Sequence, residues 1–140
     1  MRVLFLCTHN SARSQIAEAL LRHRGAGRVE AFSAGSAPGQ VHPLAARVLR
    51  EEGIAIGEQR SKHLDEYLGQ RFDYVITVCD RANESCPIFP GAPQRIHWSI
   101  PDPSAVEGAE EERLRAFRAA LHDLDGRIRL LLPQLGVEGG

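Results

Sequence analysis

Strand-like apolar runs alternate with helical patterns along this chain of 140 residues, and that alternation restricts its fold more than any other feature. Apolar runs predict strands at residues 3–7, 29–33, 74–78 and 95–98, and three-and-four spacing predicts helices at residues 14–24, 43–52 and 110–132. Alternation of this kind favours crossover connections, so the sequence predicts an α/β fold whose parallel sheet is covered by helices on both faces. The apolar stripe of the last helix is expected to face the core. It comprises Leu114, Phe117, Leu121, Leu124, Ile128 and Leu131.

Length and charge restrict the domain organisation and the partners. A chain of 140 residues suits one domain with its own core, predicted at residues 1–135, followed by a flexible tail at 136–140. The formal net charge of −1 provides no extended cationic surface, so no nucleic-acid or membrane partner is expected. No apolar run approaches the roughly 20 residues of a membrane span, and the chain is predicted to be cytoplasmic.

The segment from Cys7 to Arg13 connects the first predicted strand to the first predicted helix. Backbone N–H groups of such a turn and the dipole of the following helix attract an anion, and the guanidinium of Arg13 can bind two oxygens of a tetrahedral anion. In that field we expect the pKa of the Cys7 thiol to be lowered, which makes Cys7 a nucleophile. Ser14 can donate to the thiolate or cap the helix, and Asn10 tolerates left-handed backbone angles. The alternative is a buried, inert cysteine before an ordinary helix.

Cys79 and Cys86 lie in a stretch of small and polar residues that we predict to be a flexible loop. The chain has three cysteines, an odd number that argues against a permanent disulfide framework. No third and fourth ligand lie nearby, so a zinc site is not expected. A thiol relay needs an attacking sulfur, a second sulfur within reach and a third that carries the disulfide to the surface. Simple burial of Cys79 and Cys86 is the alternative.

Asp102 stands between two prolines after the fourth predicted strand. A carboxyl group held in such a rigid loop can protonate a departing oxygen, a general-acid effect of roughly 100- to 10,000-fold on a reaction rate. Asp-Pro is also a common turn initiator, and a turn is the alternative interpretation. The six histidines, His42 and His97 among them, form no metal-like spacing and are interpreted as structural or surface residues.

Four segments together resemble the thioredoxin-coupled arsenate reductases of the low-molecular-weight protein tyrosine phosphatase superfamily: CTHNSARSQIAEA, FSAG, VCDRANESCP and HWSIPDPSAVEG. The resemblance implies a single-domain three-layer sandwich with a four-stranded parallel sheet in the order 2-1-3-4. Simple phosphatases of this superfamily lack the middle cysteine pair and tend to carry an aromatic residue after the Asp-Pro, where this chain has Ser104. The reductase branch is therefore favoured.

The same resemblance implies the chemistry and its residues. Cys7 attacks arsenate, Asp102 protonates the departing oxygen, a Cys7–Cys79 disulfide forms as arsenite leaves, and Cys86 converts it to a Cys79–Cys86 disulfide that thioredoxin reduces. The implied enzyme is a monomer without a metal or other cofactor. The implied catalytic residues are Cys7, Arg13, Ser14, Cys79, Cys86 and Asp102, and the implied oxyanion loop is Thr8, His9, Asn10, Ser11, Ala12 and Arg13.

Three positions depart from the pattern of that family. Ala12 stands where many relatives have a further cysteine, and His9 replaces a common glycine and is interpreted as a residue at the rim of the anion site. Some relatives bind potassium behind the loop, and Lys62 occupies the fourth ligand position, so a structural potassium ion is not expected. A solvated surface lysine is the alternative. The expected loop support is Asn10, Glu18, Ser33 and Lys62.

Two other functions stay open. Phosphate is nearly isosteric with arsenate, so Cys7, Arg13 and Asp102 could hydrolyse a phosphate monoester through a cysteinyl-phosphate, as a side activity or as the main one. From a different class, the chain could be a non-catalytic sensor of anions or of thiol oxidation.

Overall fold

The computed structural model describes residues 1–57 and 59–137, and within them the strands and helices alternate as the sequence predicts. The strands are β1 (Arg2–Cys7), β2 (Glu30–Gly35), β3 (Tyr74–Thr77) and β4 (Gln94–His97). The helices are α1 (Arg13–Gly25), α2 (Pro43–Glu51), α3 (Asp80–Glu84) and α4 (Glu110–Leu131). Short 3-10 turns cover Leu64–Glu66, Pro103–Ala105 and Leu132–Leu135.

The four strands of the described residues form one parallel sheet in the order β2-β1-β3-β4, which confirms the predicted topology. The central strand β1 is buried from Val3 to Cys7 because it has a neighbour on each side. Parallel strands end at one edge of a sheet, and this edge is where open α/β sheets bind ligands. Cys7, Gly35 and Thr77 end three adjacent strands there.

Helix α4 covers the core with the predicted apolar stripe. All six residues of that stripe are buried, and α4 packs against α1 and α2. The guanidinium of Arg24 binds the carboxylate of Asp125 at the partly buried boundary between α1 and α4. The interpretation of this stripe as a core face is therefore confirmed.

Two local predictions were wrong. Helix α1 begins at Arg13, with Ala12 at its N-cap and no side-chain cap, so Ser14 lies inside the helix and does not cap it. The segment between Cys79 and Cys86, predicted as a loop, contains the five-residue helix α3. A helix this short has no apolar period for sequence reasoning to detect.

After helix α4 the chain forms a short 3-10 turn. Gly136 adopts a left-handed conformation at the end of the last 3-10 turn, and Val137 is buried in the core. The remaining residues of the predicted tail, 138–140, lie outside the described residues. None of the described helices is both long enough and apolar enough to cross a membrane.

Candidate active site

The loop that follows β1 lies tightly against the end of β2. A Cβ atom added to Gly35 would lie 2.4 Å from the carbonyl oxygen of Thr8 and 2.9 Å from the backbone nitrogen of Asn10. On its outer side, the loop accepts a hydrogen bond at the Ser11 carbonyl from the His42 N–H, 2.9 Å away. The glycine of the FSAG segment therefore lets the loop backbone approach the sheet edge, since any side chain there would displace it.

The buried side chain of Asn10 holds this loop in its curved conformation. The φ of this residue, 49°, is left-handed, as predicted, and its side chain is fully buried. The Nδ2 group donates to the hydroxyls of Ser14 and Ser33 at 2.8 and 2.9 Å. The Oδ1 atom accepts from the Gln15 side chain and from the Lys62 backbone N–H, each at 2.9 Å. Every donor and acceptor position of this amide is therefore occupied.

The predicted loop support comes together in the interior. The Ser33 hydroxyl donates to Glu18 Oε1 at 2.5 Å, and Lys62 Nζ lies 3.6 Å from the same oxygen while donating to the Arg60 carbonyl at 2.7 Å. Lys62 is only 7% exposed, so the interpretation of a solvated surface lysine was wrong. Burial lowers the pKa of Lys62, whereas the charge of Glu18 opposes that shift. The ammonium thus lies inside the protein beside a buried carboxylate.

Arg13 and Asp102 lie next to each other at the edge of the site. One guanidinium nitrogen of Arg13 donates to the Ile100 carbonyl at 2.8 Å, and another lies 3.8 Å from Asp102 Oδ2. The Asp102 carboxylate accepts from the Ser104 N–H at 2.9 Å and from its hydroxyl at 2.6 Å, which caps the turn Pro103–Ala105. Asp102 does initiate a turn, and that turn orients its carboxyl group beside the guanidinium.

Cys7 ends strand β1, and Cys79 lies just beyond the end of the adjacent strand β3. Both are buried free thiols. The hydrogen bond to Cys79 and then burial raise the pKa of Cys7, although Arg13 opposes the shift. The same bond lowers the pKa of Cys79 to about 5, and burial opposes this. The Thr8 hydroxyl, 3.4 Å from the Cys79 sulfur, and the Ala82 N–H lower it further.

The lowering of the Cys7 pKa that we expect from Arg13 is opposed in this arrangement by the adjacent Cys79 thiol and by burial. The two thiols titrate as a pair that shares a proton, with the pKa of Cys7 shifted upward and that of Cys79 shifted downward. Arg13 favours the charged form of either sulfur; the Thr8 backbone also favours that of Cys7, and the Thr8 hydroxyl and Ala82 favour that of Cys79. Within the described residues, Ser14 makes no hydrogen bond to Cys7; its hydroxyl oxygen accepts from Asn10 instead.

Cys86, the third thiol, is half-buried. Cys86 and Cys7 line a common cavity of about 10 Å³, together with Ser36 and Leu64. Burial raises the pKa of Cys86, and the charge of Arg95 opposes that shift. Cys7 therefore has two neighbouring thiols: Cys79, which follows β3, and Cys86, which lines the same cavity.

Sequence reasoning missed one residue of the site, Gln15, and one contact of Thr8. Gln15 is fully buried and donates to the Asn10 and Arg60 carbonyls at 3.0 and 2.9 Å, which ties the loop to the segment before Lys62. Thr8 was predicted only as a member of the oxyanion loop, yet its hydroxyl contacts the Cys79 sulfur. The sequence signal that could have identified Gln15 was its position, together with Glu18, among the buried residues of the first helix. His, Cys, Asp and Glu side chains form no group that could hold a metal ion in the described part of the chain.

Comparison with known proteins adds the following findings. A family model described as low molecular weight phosphotyrosine protein phosphatase matches residues 2–139. An arsenate reductase of Halalkalibacterium halodurans is 38% identical over 127 residues, which are 91% of this chain and 91% of the relative. A solved arsenate reductase in the phosphate binding state is 28% identical with a TM-score of 0.77, covering 96% of this chain and 98% of that chain. A thioredoxin-dependent arsenate reductase of Corynebacterium glutamicum is 36% identical with a TM-score of 0.76, covering 96% of this chain and 61% of that chain.

Proposed function

We propose that this chain, which belongs to the low molecular weight phosphotyrosine protein phosphatase family, is an arsenate reductase whose three cysteines pass electrons from thioredoxin to arsenate. The observation that carries the proposal is the proximity of the two buried thiols Cys7 and Cys79, which follow adjacent strands beside Arg13. A hydrolytic phosphatase needs one sulfur at this position, whereas a reductase needs a second sulfur in contact with the first. Relatives that are more than 30% identical over most of the chain are named arsenate reductases.

The anion binds in the loop of residues 7–13. Backbone N–H groups at the start of α1 point toward the loop interior, and the helix dipole adds partial positive charge there. Arg13 donates one N–H to Ile100, which fixes its guanidinium plane and leaves the other donors for two oxygens of the anion. Hydrogen bonds from Asn10 to Ser14 and Ser33 hold the loop in this curvature.

The first chemical step joins the Cys7 sulfur to arsenic. Cys7 becomes the nucleophile when its proton passes to the adjacent Cys79 sulfur. The departing oxygen takes a proton from Asp102 and leaves as water, so a covalent adduct between Cys7 and arsenate remains. The hydrogen bonds from Ser104 hold the Asp102 carboxyl group at the position from which it donates.

The second step reduces arsenic. After Cys79 loses that proton to solvent, its thiolate attacks the Cys7 sulfur, and the electron pair of the sulfur–arsenic bond stays on arsenic. Arsenic(V) becomes arsenic(III), arsenite leaves and a Cys7–Cys79 disulfide forms. Cys86 then attacks Cys79 and releases the Cys7 thiolate, and thioredoxin reduces the Cys79–Cys86 disulfide.

A side activity toward phosphate monoesters follows from the same residues. The family model favours it, and Cys7, Arg13 and Asp102 suffice to form and protonate a cysteinyl-phosphate. Because this reaction needs no second sulfur, we expect weak hydrolysis of an aryl phosphate that survives Cys79→Ala.

The experiment that tests the proposal is arsenate-dependent NADPH consumption with thioredoxin and thioredoxin reductase, compared with coupling through glutaredoxin and glutathione. We expect multiple turnovers only with thioredoxin, and loss of multiple turnovers in Cys79→Ser and in Cys86→Ser. Aryl phosphate hydrolysis in the same variants is the matched control for an intact anion loop. Multiple turnovers in either variant would contradict the relay.

The proposal also covers the state of the protein in the cell. We propose a cytoplasmic monomer without a metal cofactor and without a nucleic-acid or membrane partner. Light scattering on the purified protein should give the mass of one chain, 15.4 kDa.

A further inference from the structure

A group of hydrogen bonds outside the anion loop ties α3 to the ends of β3 and β4. His97 Nε2 lies 2.8 Å from Asp80 Oδ1, and His97 Nδ1 lies 2.8 Å from Thr77 Oγ1. The Thr77 hydroxyl is in turn 3.5 Å from Asn83 Oδ1, and the Ser99 hydroxyl donates to Asp80 Oδ1 at 3.1 Å. We call the side chains of His97, Thr77, Asp80 and Asn83 the His97 clamp. The clamp holds α3 at its first and fourth residues.

Helix α3 has little else to keep it folded. It is five residues long, and isolated helices shorter than about 12 residues are marginal in water. Its ends carry long backbone hydrogen bonds of 3.2 Å, from Asn83 to the Cys79 carbonyl and from Ser85 to the Arg81 carbonyl. Only Ala82 of this helix is buried. Side-chain bonds to the sheet therefore contribute a large share of its stability.

Folded α3 keeps Cys79 and Cys86 apart. Cys79 is the N-cap of α3, and Cys86 follows its C-cap residue, Ser85. The chain advances seven residues from Cys79 to Cys86, five of them helical, which corresponds to roughly 10 Å at the helical rise of 1.5 Å per residue. The Cα atoms of a disulfide lie within about 7 Å of each other. The Cys79–Cys86 disulfide therefore requires α3 to unwind, and unwinding separates Asp80 from His97.

We propose that His97 is a positioning residue that keeps α3 folded and so sets when Cys79 can pair with Cys86. The inference rests on the proposed relay and deepens it. While the clamp is closed, Cys79 stays against Cys7 and the dithiol form of the Cys79–Cys86 pair is stabilised. Once the Cys7–Cys79 disulfide has formed, opening of the clamp lets Cys86 reach Cys79.

The charges around Asp80 support this role. The hydrogen bond from His97 and then that from Ser99 lower the pKa of Asp80, and Arg13 adds to the shift. An ionised carboxylate accepts a stronger hydrogen bond from an imidazole N–H than a neutral carbonyl does. Both ring nitrogens of His97 have partners, which fixes the ring plane against the end of β3.

The test is a redox titration of the Cys79–Cys86 pair in a Cys7→Ser chain, equilibrated with reduced and oxidised dithiothreitol. Two thiols of the protein are oxidised as the dithiothreitol disulfide is reduced, so the ratio of forms gives the equilibrium constant. We expect His97→Ala to favour the protein disulfide about tenfold, a midpoint about 30 mV more negative for this couple. Asp80→Ala should give the same shift, and the double variant no more than either alone.

Two matched variants sharpen the result. His97→Gln keeps an N–H that can reach Asp80, so it should restore part of the wild-type midpoint. His122→Ala removes a histidine of helix α4 whose ring lies 3.3 Å from Glu52, outside the clamp, and it should leave the midpoint unchanged. Asp80 has a side chain that is 74% exposed, so Asp80→Ala tests the clamp even where His97→Ala fails to fold.

An unchanged midpoint in both His97→Ala and Asp80→Ala would overturn the inference. The titration uses neither arsenate nor thioredoxin, so its outcome is separate from that of the proposed function. A shifted midpoint in a protein that does not reduce arsenate would contradict the proposed reaction and support the role of the His97 clamp. Normal arsenate turnover with no shift of the midpoint would contradict the role of the His97 clamp and support the proposed reaction.

Discussion

The polar groups beneath the anion loop and the segment that carries Cys79 and Cys86 lie at the same edge of the sheet, but they are held in different ways. Asn10, Gln15 and Ser33 are fully buried, and Glu18 and Lys62 nearly so. Helix α3, in contrast, buries one residue and depends on the His97 clamp. The first region is fixed by interior hydrogen bonds, and the second by bonds at the protein surface.

This difference corresponds to the two parts of the proposed reaction. Attack on an oxyanion needs donors that are already in place when charge develops, because reorganisation would raise the barrier. Thiol–disulfide exchange needs sulfur atoms that can approach one another in turn. A rigid anion site beside a short, weakly held helix meets both requirements at one sheet edge.

The largest effect that would test this division is expected for Arg13→Lys. A lysine keeps the charge but loses the planar pair of donors, so kcat/KM should fall about 100-fold for arsenate and for an aryl phosphate alike. The dithiothreitol equilibrium of Cys79 and Cys86 should not change. Arg118→Lys, at an exposed ion pair with Glu51, serves as the control. A shifted equilibrium in Arg13→Lys would contradict the separation of the two regions.

The next effect concerns the rigidity of the loop support. Asn10→Ala leaves buried partners without their hydrogen bonds and places a Cβ-bearing, non-polar residue at φ 49°. We expect the free energy of unfolding to fall by about 3 kcal/mol. Urea denaturation measures it. Asn10→Gly removes the same bonds without the backbone strain, so its free energy of unfolding should fall by about 1 kcal/mol less than that of Asn10→Ala. Equal losses would show that the conformation of residue 10 stores no strain.

A smaller effect is expected on the protonation of Cys7. In the wild type the pKa of Cys7 is raised, chiefly by the adjacent Cys79 thiol and then by burial. Cys79→Ser removes the first of these causes and leaves Arg13, so the pKa of Cys7 should fall and its alkylation by iodoacetamide at neutral pH should rise about tenfold. Mass spectrometry across a pH series identifies the alkylated residue. An unchanged Cys7 profile would argue against proton sharing.

The smallest effect is an expected insensitivity to potassium. Lys62 is the chain's single lysine, and its ammonium lies beside Glu18 where some relatives hold the ion. We propose that it replaces that charge, so exchanging potassium for sodium should leave arsenate and aryl phosphate rates unchanged. Lys62→Asp supplies an oxygen ligand in place of the ammonium and should make the rates several-fold higher in potassium than in sodium. Potassium activation of the wild type would overturn this interpretation.

Much of the fold could be predicted because its signals are local. The apolar runs, the helical spacing and the turn between Cys7 and Arg13 each lie within a few neighbouring residues, and the structure has the predicted elements in the predicted order. The predicted members of the loop support also come together, although that prediction came from a resemblance. Helix α3 escaped prediction because its stability comes from contacts with the sheet and not from its own pattern.

The sequence by itself determined the fold class, the position of an anion loop and the presence of three thiols, since short-range patterns encode each of these. Only the tertiary structure decided which groups raise or lower the pKa of each thiol. Thr8 and Cys79 are 71 positions apart, and the hydroxyl that favours the Cys79 thiolate reaches it only in the folded chain. The bond between His97 and Asp80 likewise joins a strand to a helix. Protonation and hydrogen bonding depend on distances in space, and these are set by packing.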